Sequence, residues 1–229
     1  MVLAADPWCP YNCVPDSNHP GYFVELATLA FEQHGHTVKY VNMPWSRAIR
    51  MARKGVIDGI IGTGREETPD FIYPQYSHID VKHSFYTLKQ SEWHYGSVAS
   101  LGSVRLGVLN DYSYGDFLEE YLQVNENNID RLIVVYNDEG LPQLVRLLKA
   151  GRIDAFIEER GVVNDYVRNR PEDDFLKFAG VGSPEQVSIA FSPVKPTSQK
   201  YAQLLSDAFV AIEGTELHLK LLQKYQLVD

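Results

Sequence analysis

Short, largely β-branched apolar runs alternate along this chain with stretches whose apolar positions recur every three or four residues. That is the pattern of a parallel sheet covered by helices. Val2–Ala5 reads as the first strand. Residues 22–34 read as a helix with Phe23, Leu26, Ala27, Ala30 and Phe31 on one stripe and Glu25 in the early turns. Strands are expected at 38–43 and 56–61, separated by an amphipathic helix that opens at Pro44-Trp45 and runs to Lys54. Residues 82–89 read as a strand leading into a polar, aromatic segment, 91–103. Beyond it, strands at 104–109, 132–136, 153–157 and 186–191 are interleaved with helices at 116–122, 141–150 and 161–170. The tail, 198–229, gives two helices broken at Gly214.

One piece of this pattern occurs twice. Gly55-Val56-Ile57-Asp58-Gly59-Ile60-Ile61 is echoed by Gly151-Arg152-Ile153-Asp154-Ala155-Phe156-Ile157. Each copy follows an amphipathic helix with a cationic last turn, stopped by glycine. Each is followed by a charged loop, Arg65-Glu66-Glu67 or Glu158-Glu159-Arg160. A spacing of about a hundred residues is too long for a solenoid repeat. It fits two similar α/β lobes, each presenting a strand end to a shared cleft.

Composition narrows the function classes. The chain has 229 residues and a net charge of -9, which argues against a nucleic-acid binder. No apolar run is long enough to span a membrane. The chain begins directly inside its first strand, and the reading taken is that Met1 stands where a leader has been removed. The two cysteines, Cys9 and Cys13, have a spacing that suits a local disulfide in an oxidising compartment, against a pair of buried thiols. A metal site is disfavoured because neither a second Cys pair nor a spaced His pair accompanies them.

Candidate binding residues cluster at predicted strand ends, where open α/β sheets hold ligands. Trp8 and Tyr11 lie in the loop after the first strand, either as a lid packed on the core or as a stacking platform. Trp45 and Arg47 open the second helix; the arginine either shields helix surface with its stem or faces the cleft. Thr63 and Arg65 follow the 56–61 strand. The guanidinium of Arg65 either forks onto a carboxylate ligand or pairs with Glu66, Glu67 or Asp70. Tyr112 and Ser113 follow the 104–109 strand, Ser113 as a helix cap or an anion donor. Glu159 follows the repeated strand. No hydrolase elbow, P-loop, dinucleotide fingerprint or zinc-protease motif is present.

The order of several motifs resembles the family 3 periplasmic solute-binding proteins. These are Ala5-Asp6-Pro7-Trp8-Cys9-Pro10-Tyr11-Asn12, Gly21-Tyr22-Phe23-Val24-Glu25-Leu26-Ala27, the two Ile-Asp copies, Leu106-Gly107-Val108, Ile189-Ala190-Phe191-Ser192 and Lys224-Tyr225-Gln226-Leu227. The resemblance implies a type II periplasmic-binding-protein fold: two α/β lobes joined by two crossover strands, closing on a ligand by hinge motion. Lobe 1 is expected at 1–88 and 192–229 and lobe 2 at 89–191. It also implies a monomer in the periplasm, a small-molecule solute, delivery to the membrane subunits of an ABC importer, and no cofactor. By the same resemblance Tyr11 stacks on the ligand, the arginine after the first-lobe strand holds an α-carboxylate, the loop at Tyr112-Ser113-Tyr114 adds donors, and Glu159 takes an α-ammonium. The chain departs from the pattern where amino-acid binders carry Thr-x-x-Arg. Counted back from Tyr73-Pro74, Glu67 stands at the arginine position, which leaves Arg65, Arg47 or no cation at all for the role. The competing readings are an enzyme of dehydratase or lytic type on the same fold, and the sensor domain of a membrane receptor.

Overall fold

The computed structural model describes residues 1–136 and 140–227. Its chain forms two compact units, Met1–Asp80 with Gln186–Asp229, and Val81–Glu185. The last residues of the expected first lobe, Val228 and Asp229, lie outside the described residues.

In the first unit, β1 (Val2–Ala5) lies between β2 (Lys39–Asn42) and β3 (Gly59–Thr63), parallel to both. β3 in turn pairs antiparallel with the end of β8 (Leu176–Phe191). Helices α1 (Tyr22–Glu32) and α2 (Trp45–Arg53) connect the strands, and α6 (Ser198–Ile212) and α7 (Glu216–Lys224) close the chain. The stripe expected on α1 is its buried face. Phe31 meets Phe191 and Tyr201 edge-on, with ring centroids 6.1 and 5.5 Å away. Each such buried ring contributes roughly 1.5–3 kcal/mol over an exposed one.

In the second unit the neighbour order is β8, β4 (Ile79–Leu88), β7 (Ala155–Glu159), β5 (Leu106–Leu109), β6 (Leu132–Val135). β5 is parallel to β6 and β7, and β4 is antiparallel to β7. Helices α3 (Asp116–Asn125), α4 (Leu141–Lys149) and α5 (Arg160–Asn169) complete it. Its core centres on Phe85, Leu106, Leu118 and Ile157, with Tyr95 stacked on Phe85 at 4.0 Å.

The repeated motif has one local geometry. After α2, the Gly55 amide donates to the Ala52 carbonyl (2.9 Å) and the Val56 amide to Met51 (3.0 Å). After α4, Gly151 donates to Leu148 (3.0 Å) and Arg152 to Leu147 (2.9 Å). Both are Schellman closures, and both glycines take the left-handed φ these require, 70° and 65°. The following aspartate then clamps the neighbouring parallel strand. Asp58 Oδ2 accepts from the Val2 amide at 2.6 Å, and Asp154 Oδ2 from the Arg105 amide at 2.8 Å.

These closures correct two strand starts. The expected strand 56–61 begins only at Gly59, because 55–58 is the turn and Val56 is exposed. The strand expected at 153–157 likewise starts at Ala155. A larger correction concerns β8, expected at 186–191 and found to begin at Leu176. Its first half carries Gly180, Gly182 and Pro184 and reads as loop. The glycines are there for space: a Cβ on Gly180 would sit 2.7 Å from the Tyr95 carbonyl oxygen, and one on Gly182 would sit 2.4 Å from the Phe117 ring. The two compact units divide at 80/81 and 185/186, inside β4 and β8.

Candidate functional site

In the first unit the loop after β1 folds back on itself. The Trp8 amide donates to the Asn12 carbonyl (2.7 Å), the Tyr11 amide to Trp8 (3.0 Å), and the Cys9–Cys13 disulfide closes the turn. The Trp8 and Tyr11 rings lie 4.5 Å apart, and Tyr11 continues onto Phe23 at 6.1 Å. Both residues are buried, so the loop packs down as a lid. Gly62 lies under it with φ 87°, and a Cβ there would be 3.4 Å from the Trp8 ring.

The end of β3 carries a polar relay. The Trp45 indole N–H donates to Glu67 Oε1 (2.6 Å) and the Thr63 hydroxyl to Glu67 Oε2 (2.9 Å). Thr63 also lies 3.0 Å from the Thr68 hydroxyl, which meets the Tyr73 hydroxyl. Burial raises the Tyr73 pKa, keeping it a neutral donor to the Gly64 carbonyl. The structure thus joins Trp45 and Thr63 through Glu67, the acid at the position where the resemblance calls for arginine.

Arg65 is exposed. Its guanidinium lies 4.7 Å from the centre of the Tyr73 ring and donates to the Pro74 carbonyl at 3.1 Å. Of the acids considered as its partners, Glu66, Glu67 and Asp70, the last is taken by Arg53 through two bonds of 2.9 Å. Arg47 is exposed on the first turn of α2.

In the second unit β5 ends at Leu109, whose amide donates to the Tyr114 hydroxyl at 2.7 Å. Tyr112 and Ser113 are half-buried beside it. Ser113 does not cap α3. The cap position is Gly115, at φ 86°, and the serine hydroxyl accepts only a long 3.5 Å bond from the Gly115 amide. Glu159 is 3% exposed and itself caps a helix: Oε2 accepts from the Val162 amide at 2.9 Å, and Oε1 lies 3.5 Å from the Lys82 amide. A carboxylate suits that helix start, where its charge meets the positive end of the dipole.

Sequence reasoning missed His83. It stands opposite Glu159 in the β4–β7 register and its Nε2 lies 3.1 Å from Glu185 Oε2. The signal was position: His83 lies inside a predicted strand, and residues 83–87 of β4 are all buried. Among the described residues, no group of three or more His, Cys, Asp or Glu side chains is arranged to hold a metal ion, and no helix is long and apolar enough to cross a membrane.

Comparison with solved structures finds the same fold at low identity. A histidine kinase sensor domain described as similar to periplasmic binding proteins superposes with a TM-score of 0.79 at 20% identity, over 98% of this chain and 94% of that one. A mutant of the T. maritima arginine-binding protein gives 0.76 at 19%, over 99% and 94%. An amino acid ABC transporter substrate-binding protein from Streptococcus pneumoniae, bound to L-arginine, gives 0.71 at 19%, over 98% and 92%. No curated protein matches in sequence. Residues 1–227 match the family described as bacterial extracellular solute-binding proteins, family 3, and the chain belongs to that family.

Proposed function

We propose that this protein is a non-enzymatic, periplasmic solute-binding protein that captures a small polar solute and delivers it to an ABC importer. What supports this reading is that family membership is joined to polar and aromatic side chains at the ends of β3 and β7. In this proposal Trp8, Tyr11, Trp45 and Tyr112 give apolar enclosure, Thr63 and Ser113 give hydroxyls, and Glu159 takes a positive group. Arg65 is held on Tyr73, so Arg47 is the cation assigned to any negative group on the solute.

The test is a thermal-shift screen of the purified protein against amino acids, polyamines, organic acids, sugars and short peptides. A solute at a hundred times its dissociation constant adds about 2.7 kcal/mol of stability. A clear shift with one class, reduced in Glu159→Ala, supports binding; turnover of the bound compound instead would move the protein to the enzyme reading. The sensor-domain neighbour favours a second reading, in which the bound state signals rather than transports. A membrane span encoded downstream in the natural gene would select it.

A further inference from the structure

β4 runs between β8 and β7, and on one stretch it carries His83 with an acid on each neighbouring strand. Glu185 on β8 bonds the imidazole, with side chains only 4% and 11% exposed. Glu159 on β7 is the direct register partner, so its Cβ stands on the same face about 5 Å away. The Tyr114 ring closes edge-on against the imidazole at 5.4 Å. The carboxylate of Glu185 can only accept, so Nε2 is the ring nitrogen that donates to it. In that tautomer Nδ1 is a lone-pair acceptor. It is buried and has no hydrogen-bond partner within the protein, in a residue that is 3% exposed. A buried acceptor left unmade is costly, and native proteins pair such groups.

We propose that His83 Nδ1 is a specificity-determining acceptor for the solute, acting beside the Glu159 carboxylate. The inference rests on the solute-binding reading above and adds a chemical class to it. Two acceptors side by side, one a lone pair and one a carboxylate, call for a group carrying several N–H donors: a primary ammonium or a guanidinium. A quaternary ammonium has the charge that satisfies Glu159 but no hydrogen for Nδ1, so it is rejected. Sites built to hydrogen-bond a substrate N–H discriminate against analogues lacking it by orders of magnitude, because the buried acceptor is then stranded. His83 thus selects the type of cation, and the carboxylate supplies the attraction.

The experiment is titration calorimetry of the intact protein with arginine, putrescine, choline and glycine betaine, and with succinate and glucose as solutes of other classes. Two variants separate the ring's two edges. His83→Gln reaches Glu185 from the ε position and removes the acceptor at δ; His83→Asn keeps an acceptor at δ and gives up the Glu185 bond. The expected result is that arginine or putrescine binds and choline and betaine bind at least a hundredfold more weakly. His83→Gln should lose about tenfold or more of that affinity, or about 1.4 kcal/mol, at an unchanged melting temperature. His83→Asn should bind within a few-fold of the native protein even if it melts earlier. Equal affinity in His83→Gln, or equal binding of choline and arginine, overturns the inference. Binding of succinate or glucose alone overturns it while leaving the solute-binding reading intact, and binding of nothing in this panel or in the thermal screen overturns both.

Discussion

The two copies of the Gly-x-Ile-Asp motif agree up to the aspartate and part company after it. In both, a glycine-closed helix hands the chain to an aspartate that holds an amide at the start of the neighbouring strand, Val2 in β1 or Arg105 just before β5. The next residue differs: Gly59 in one unit, Ala155 in the other. Gly59 pairs with Phe191 on an antiparallel strand that lies so near that a Cβ would meet the Ala190 carbonyl oxygen at 2.6 Å. The strand ends differ more. β3 runs out into a loop whose acid, Glu67, is bonded to an indole and a hydroxyl, while β7 runs straight into a helix capped by Glu159. The common stem is a folding device, and the ends are where the two units acquired separate chemistry.

Gly59→Ala is the sharpest way to break this comparison. It should cost toward about 3 kcal/mol, since a backbone oxygen cannot move aside as a side chain can. The reverse change in the other copy, Ala155→Gly, should cost only about 0.5–1 kcal/mol. Urea denaturation of both variants checks the asymmetry, and equal losses would mean that the two stems are packed alike.

Next comes the aspartate. Asp58 holds the Val2 amide and also the Lys195 ammonium, so Asp58→Ala should cost about 2 kcal/mol and Asp154→Ala less. Burial pushes the Asp58 carboxyl upward, but the Lys195 and Val2 hydrogen bonds and the neighbouring positive charges outweigh it and hold the group below its ordinary value. A lowered folded-state pKa gives stability that is present above the unfolded value, near 3.9, and is lost as pH falls through the folded one. Below about pH 4 the native protein should therefore lose stability more steeply than Asp58→Ala, measured as denaturation midpoint against pH.

The glycines that close the helices give a smaller effect. Gly151→Ala meets open space and should cost only the left-handed backbone strain, about 1 kcal/mol. Gly55→Ala should cost more, because Val194 Cγ2 lies 3.1 Å from the new methyl group. Arg65→Ala is expected to be the mildest, about 0.5 kcal/mol for an exposed cation on an aromatic ring, with solute affinity within twofold of native by calorimetry. A tenfold loss there would return Arg65 to the binding site.

The helices were legible because their buried faces are continuous stripes, as on α1. The repeat was legible because its stem is made of local hydrogen bonds, though the same locality hid where the strand begins: Val56 and Ile57 look like strand and belong to the helix closure. The first half of β8 was hidden by Gly180, Gly182 and Pro184, residues that spell a loop but here make room for Tyr95 and Phe117. Trp45, Thr63 and Glu159 are candidates because of their place at predicted strand ends. The protein partners of Arg65 were hidden because its charge points to nearby acids, whereas an aromatic face and a carbonyl hold it. His83 went unnoticed because its partners, Glu159 and Glu185, are remote in sequence and only the register of β4 brings them together.

The discontinuity of the first unit has a consequence in time. Val81–Glu185 is one continuous stretch, whereas Met1–Asp80 must wait for the chain's last segment to complete its sheet. Until then β3 lacks its antiparallel neighbour, Tyr22 lacks His218, and Glu25 lacks the Lys224 and Tyr225 that clamp it. Contacts of such long sequence separation close late. A chain emerging from its amino end should therefore assemble its middle first and stay loose at its beginning until its end arrives.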